Sequence, residues 1–245
     1  MAGSNNSNKA YTAKDITVLE GLDPVRKRPG MYIGGVDVTG LHHLVWELLD
    51  NAVDEAMNGH ASRIEVTLHK DGSTVSVADN GRGIPIDMHP KFKKPALELI
   101  LTTLHAGGKF GDQNYSHSGG LHGVGASVVN ALADRLVASI RRDGVEWEQR
   151  FVRGKTTTKL KQIGEARGHG TMLTFHPDPD IFPCIDFKPQ RIAERLEAKA
   201  YLHKGLTLIF RNAVNRKTQQ YYYKDGLKAY LEKLIQGGEK KAIIP

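Results

Sequence analysis

The stretch GGLHGVGASVVNAL, Gly119 to Leu132, places four glycines in its first seven positions, then repeats Val124, Val128 and Leu132 at every fourth residue with Val129 beside them. The spacing predicts a helix directly after the glycines. Each glycine loses more conformational freedom on folding than alanine, on the order of 0.5–1 kcal/mol. Bare backbone at a helix N-terminus therefore has to serve something. An anion fits, because unpaired N–H groups and the positive end of the helix dipole converge there. A loop that merely precedes a core helix is the competing reading, and the rest of the chain decides between them.

With 245 residues the chain is long enough for one large α/β domain or two small ones. Hydrophobic residues make up 40% and charged residues 25%, which excludes a disordered or membrane-embedded chain. No apolar run approaches the ~20 residues of a membrane span, and no signal-peptide pattern opens the sequence. A single cysteine, Cys184, rules out an intrachain disulfide and a cysteine-based zinc site, and is expected to pack in the interior. A cytoplasmic protein with no membrane partner follows as the expectation. The formal charge of +7 permits a nucleic-acid partner. The densest basic clusters are Arg26, Lys27 and Arg28, then Lys91, Lys93 and Lys94, then Lys240 and Lys241, and each reads equally as a solvated face.

Working outward, residues 1–10 are polar and aperiodic, a disordered arm or in part a cloning remnant. DPVRKRPGMYIGG is rich in turn residues. Leu41, Leu44, Val45, Leu48, Leu49, Ala52, Val53 and Ala56 predict a helix over about Thr39 to Asn58. Ile64-Val66-Leu68 and Val75-Val77-Asp79 alternate around Asp71-Gly72, a hairpin signal. A second helix is expected from about Pro95 to His105, followed by a long polar loop to Gly120. After the opening helix, Leu136-Ala138-Ile140 and Val145-Trp147-Gln149-Phe151 flank Asp143-Gly144, a second hairpin. Strands follow at Met172 to Phe175, Leu206 to Arg211 and Tyr221 to Tyr223, with helices at Pro189 to Leu202 and Leu227 to Ile235. Hairpins dominate, so the sheet should be mixed and mostly antiparallel, with helices on one face.

Two polar sets stand out. On the first helix, His43, Glu47 and Asn51 are spaced by four, with Asp54 and Glu55 near the same line, which makes a half-buried stripe. A glutamate there can take a proton from water, a histidine can orient it, and an asparagine oxygen suits Mg²⁺. A solvated helix face is the alternative. In VSVADNGRGIP, Val75 to Pro85, Asp79 shares parity with Val75 and Val77 and points toward their face. A buried carboxylate needs donors, such as the exocyclic amino group of a base, while Gly81 and Gly83 allow a flat ring close approach. An Asx turn at the strand end is the commoner fate of such a sequence. Arg82 could stack on a planar ligand or pair with Glu55. Gly154-Lys155-Thr156 resembles the end of a P-loop, but Gln149 stands where the first glycine is required, so an exposed turn is expected.

Taken in order, ELLDNAVDEA (Glu47–Ala56), DNGRGIP (Asp79–Pro85), GGLHGVG (Gly119–Gly125) and GTMLTF (Gly170–Phe175) resemble the motifs of the GHKL ATPase superfamily. GLDPVRKRPGMYIG (Gly21–Gly34) and LHAGGKF (Leu104–Phe110) narrow the likeness to the ATPase domains of the B subunits of bacterial type IIA topoisomerases, DNA gyrase and topoisomerase IV. These strings argue against the histidine-kinase, MutL and heat-shock branches; a basic nucleic-acid-binding module without an ATPase role is the alternative from a different class, which predicts salt-dependent DNA binding and no nucleotide binding. The resemblance implies an α+β, two-layer α/β sandwich of the Bergerat (GHKL) type over residues 11–237, with 238–245 as a tail leading to a transducer domain.

By the same resemblance Glu47 is the general base, His43 supports it, and Asn51 holds Mg²⁺. Asp79 accepts from the adenine amino group, with Thr171 helping through water. Arg82, Gly83, Ile84 and Pro85 line the base pocket, where Glu55 also belongs. Lys109, Tyr115 and the backbone of Gly119, Gly120, Leu121, His122, Gly123, Val124 and Gly125 hold the phosphates as a lid. Tyr11 and Ile16 belong to an arm that crosses to a second protomer when ATP binds, and Arg142 sits at the mouth, where aminocoumarin inhibitors bind in this family. The implied partners are DNA, a topoisomerase A-type subunit and an ATP-dependent homodimer. In the family a following domain supplies a lysine to the γ-phosphate, so a chain ending at Pro245 is expected to bind ATP well and hydrolyse it poorly.

Overall fold

The computed structural model describes residues 12, 13, 16, 18–107 and 123–236. Two short helices open the described region, α1 (Asp23–Lys27) and α2 (Gly30–Ile33), where the sequence promised only turns. Pro24 sits in the first turn of α1, where its missing N–H removes no hydrogen bond.

The long helix α3 (Val38–Met57) begins at Asp37, whose Oδ1 accepts from the N–H groups of Thr39 at 3.0 Å and Gly40 at 2.9 Å. Such a cap contributes about 1 kcal/mol. Its buried stripe, Leu41, Leu44, Val45, Leu48, Leu49, Ala52 and Val53, is the one its periodicity predicts. Each of the larger side chains contributes roughly 1.5–3 kcal/mol by leaving water.

The hairpin of β1 (Arg63–Leu68) and β2 (Val75–Asp79) forms as expected, and so does that of β3 (Ala133–Arg142) and β4 (Val145–Val152). In the second turn Asp143 and Gly144 have φ of 55° and 77°, the left-handed pair that a two-residue hairpin requires. Helix α4 (Ala96–Thr102) is shorter than predicted, because Thr103 is extended and His105 takes φ 58°. Helix α5 (Gly125–Leu132) follows the glycines.

Beyond β4, the Arg153-Gly154 turn leads into a two-residue strand β5 (Lys155–Thr156), then β6 (Lys161–Glu165) and β7 (Gly170–Pro177). Neither β5 nor β6 has a counterpart among the expected strands, and β7 is longer at both ends than Met172 to Phe175. Helix α6 (Pro189–Leu202) has the predicted bounds. The strand expected at Tyr221 to Tyr223 is instead β9 (Lys217–Tyr221), because the turn after β8 (Thr207–Asn212) sets the pairing Asn212↔Lys217 and uses up the ladder by Tyr221. Helix α7 (Leu227–Gln236) ends the described chain.

Among the described residues the sheet runs β5-β4-β3-β7-β2-β1-β8-β9, with β6 also on β4, and only β1–β8 is parallel. One face is apolar: Ile64, Val66 and Leu68 of β1 meet Leu136, Ala138 and Ile140 of β3 and Phe175 of β7 in one core with α3, α5 and α6. The mixed, mostly antiparallel two-layer α+β arrangement with helices on one face is the predicted one. Cys184, expected in the interior, is exposed; it lies in the irregular stretch between β7 and α6, where no periodic face buries it.

Candidate nucleotide site

Between α3 and the sheet, at the open end of β2 and the N-terminus of α5, lies a cavity of about 350 Å³. That size suits a small-molecule ligand. From α3 it receives Leu48, Asn51, Ala52 and Glu55, one flank of the helix. From β2 and its turn come Val77, Asp79, Arg82, Gly83, Ile84 and Pro85. Arg142 at the end of β3 and Thr171 and Leu173 of β7 close one wall, and Ile100, Ala106, Gly107, Gly123, Gly125 and Ala126 the other.

Asp79 makes the Asx turn and faces the cavity at once. Its Oδ1 accepts from Gly81 N–H at 2.7 Å and from Thr171 N–H at 3.4 Å. Both land on one oxygen, and among the described residues no donor reaches Oδ2. Burial pushes this carboxyl up to about 6; the two N–H donors and the His169 ring oppose that rise, and the Glu55 charge adds to it. Thr171 Oγ1 accepts from Ile84 N–H at 3.2 Å, tying β7 to the turn. Arg82 takes the second of its two expected options: its Nη2 donates to Glu55 Oε1 at 2.9 Å and its Nε to Oε2 at 3.2 Å. The Arg142 guanidinium donates to the Gly83 carbonyl at 3.0 Å.

Glu47 and His43 stand outside the lining but beside it. His43 Nε2 is 3.7 Å from Glu47 Oε1, both half-exposed on successive turns of α3. At Gly125, the first residue of α5, a Cβ would overlap Glu47 Oε2, so the bare Cα is what lets the α5 N-terminus close on this carboxylate. The predicted stripe His43, Glu47, Asn51, Glu55 is half-buried as expected, whereas Asp54 falls on the buried side. Val124, predicted with the phosphate loop, does not line the cavity: it is the N-cap of α5 and packs against the core. Tyr11, Lys109, Tyr115, Gly119, Gly120, Leu121 and His122 lie outside the described residues. Ile16 is exposed, away from the cavity lining.

Sequence reasoning missed the apolar floor. Leu48, Ala52 and Val77 read as core; their signal was position, one turn from Asn51 on α3 and two residues before Asp79 on β2. It also missed His169, which stands with Arg82, Arg142 and Asp143 around a second, more open cavity of about 460 Å³ at the mouth.

The arrangement offers a hydrogen-bond acceptor at one end of an apolar slot and a helix N-terminus with a carboxylate at the other. The family described as histidine kinase-, DNA gyrase B-, and HSP90-like ATPase matches residues 36–181. The chain is 50% identical over 233 residues to the DNA gyrase B subunit of Thermotoga maritima, covering 95% of this chain and 36% of that one. It is also 50% identical to the DNA topoisomerase 4 B subunit of Bacillus subtilis, covering 90% of this chain and 34% of that one. It thus spans about a third of the length of these curated relatives. The crystal structure of the 43K ATPase domain of Thermus thermophilus gyrase B in complex with an aminocoumarin is similar at TM-score 0.80 and 44% identity, over 88% of this chain and 55% of that one.

Proposed function

The chain belongs to the family of histidine kinase-, DNA gyrase B-, and HSP90-like ATPases, and from that premise we propose that it is the ATP-hydrolysing domain of a type IIA topoisomerase B subunit. One observation carries the reading: Asp79 and the N-terminus of α5 line one cavity with an apolar floor, Asp79 beside Glu55 and Gly125 against Glu47, about two turns apart on α3. A purine fits the floor, its amino group donating to Asp79 and its edge reaching Thr171 through water. The triphosphate then runs toward Gly123 and Gly125, where N–H groups and the helix dipole favour negative charge.

Glu47, against that helix N-terminus, takes the proton of the attacking water, with His43 orienting the carboxylate. Asn51 lines the same cavity with a neutral amide oxygen, a donor that fits Mg²⁺, since that ion keeps most of its waters and takes few protein ligands. Held there, Mg²⁺ would supply positive charge to offset that of the triphosphate. In this reading Lys109, Tyr115 and residues 119–122, which lie outside the described residues, supply further contacts to the phosphates, and Tyr11 contacts a second protomer. Arg142 at the mouth is where an aminocoumarin-type inhibitor would sit. By the same reading, closure of an ATP-bound dimer is coupled to passage of a DNA strand, with a topoisomerase A-type subunit as partner.

Calorimetric titration with a non-hydrolysable ATP analogue and Mg²⁺ tests this. One site per chain is expected, with affinity cut at least about tenfold by Asp79→Asn, the scale of one charge-assisted hydrogen bond. No heat for any adenine nucleotide would overturn the reading.

A further inference from the structure

The turn that carries Asp79 is held from outside by a residue that the nucleotide reading leaves unused. His169 ends the β6–β7 loop with its ring exposed at the cavity rim, and its Nδ1 hydrogen-bonds the carbonyl oxygen of Gly81. A carbonyl only accepts, so Nδ1 carries the proton and donates. Gly81 is thereby gripped on both sides, its N–H by Asp79 Oδ1 at 2.7 Å and its carbonyl by His169. No side chain can do this work at Gly81 itself, since a Cβ would lie 2.8 Å from Asp79 Oδ1 and 3.0 Å from Glu55 Oε2. Beside the ties to Thr171 and Arg142 further along the turn, Glu55 of α3 holds Arg82, the residue next to Gly81. The Asp79 carboxylate therefore sits in a turn clamped between α3 and the β6–β7 loop, and His169 is the β6–β7 half of the clamp.

We propose that His169 is a positioning residue for base recognition: by holding the Gly81 carbonyl it sets where the Asp79 carboxylate meets an exocyclic amino group, and so governs discrimination between adenine and purines lacking that group. The proposal rests on the reading of the cavity as an adenine-nucleotide site. A shift of the turn moves Asp79 relative to the amino group, while the phosphate end, built from α5 and Glu47, stays in place. Loss of the clamp is therefore selective for the base.

The test is equilibrium titration of the wild-type chain, His169→Ala and His169→Asn with two non-hydrolysable triphosphates and Mg²⁺, one bearing adenine and one hypoxanthine. His169→Ala is expected to lose about fivefold in affinity for the adenine nucleotide, the scale of one exposed hydrogen bond, while its affinity for the hypoxanthine nucleotide changes by less than about twofold. His169→Asn, whose amide keeps an N–H near the place of Nδ1, restores most of the loss. Equal losses for the two nucleotides, no loss in His169→Ala, or a His169→Asn as weak as alanine would each overturn the positioning role. A wild-type chain that binds neither nucleotide would instead overturn the site reading on which it rests.

Discussion

Glu47 owes its setting to neighbours rather than to burial. Its side chain is 34% exposed, His43 stands 3.7 Å away, and Gly125 lets α5 close against Oε2. A base so placed contributes to hydrolysis and little to binding. Glu47→Gln is expected to keep nucleotide affinity within about threefold while single-turnover hydrolysis falls by about 10²–10⁴-fold, the usual weight of a general base. Loss of binding in that variant would remove Glu47 from the role. Asp79 predicts a pH dependence. Its carboxyl lies at about 6 in the fold against 3.8 ordinarily. The fold thus holds this proton more tightly than the unfolded chain does; the resulting stability is complete below 3.8 and is lost as pH rises through 6. Nucleotide binding has the opposite sign, because an adenine amino group needs the charged acceptor. Affinity should fall below about pH 6, by up to about tenfold per unit, and Asp79→Asn should flatten that inflection in calorimetry between about pH 5 and 8. An inflection unchanged in Asp79→Asn would assign it to another group.

At the level of elements, Arg26 fixes where α5 ends. Its Nη1 donates to the Ala131 carbonyl at 2.6 Å in the last turn of α5, and its Nη2 pairs at 2.7 Å with Asp178, whose side chain is wholly buried. Burial alone would raise the Asp178 carboxyl; the Arg26 hydrogen bond, the Asp180 N–H and the charges of Arg26 and Arg153 outweigh it and hold it below the ordinary range. That stability is present above pH 3.8 and is lost as pH falls through the lowered value. Arg26→Ala should cost about 2–3 kcal/mol, less than the full loss of a buried pair because Arg153 still reaches Asp178 at 3.1 Å. A shifted urea midpoint at constant m measures it, and a change below about 0.5 kcal/mol, the scale of an ordinary surface substitution, would contradict the assignment. In the sequence Arg26 reads as one of three surface cations, since nothing local shows a partner 152 residues away. The same limit hid the contact of His169 with Gly81. Elements with a local signature were legible: α3 by its stripe, the hairpins by Asp-Gly, α6 by its period. The strands β6 and β9, KQIGE and KTQQY, are exposed polar edge strands. Their pairing is set by β4 and β8, and alternation had nothing to report.

For the molecule as a whole, the cavity lies between layers that must stay packed for it to exist. Its floor is made of Leu48, Ala52, Val77 and Leu173, which belong equally to the core joining α3 to β2 and β7. A ligand that binds there binds only the folded chain, so its free energy adds to stability. A non-hydrolysable ATP analogue at about a hundred times its dissociation constant should add about 2.7 kcal/mol. For a domain of this size that raises Tm by roughly 5–10 °C. The net charge of +7 allows another outcome. A chain whose main role is to hold nucleic acid would be stabilised by duplex DNA instead, with a shift that fades between about 50 and 200 mM salt as counterions compete. The two sources separate in one set of melts with Mg²⁺ at about 150 mM salt. The nucleotide should shift the transition by several degrees, salt should leave that shift nearly unchanged, and DNA alone should move it by less than about 1 °C, a fraction of a kcal/mol at this size. The reverse pattern, DNA stabilising and nucleotide inert, would detach the cavity from the function argued for it.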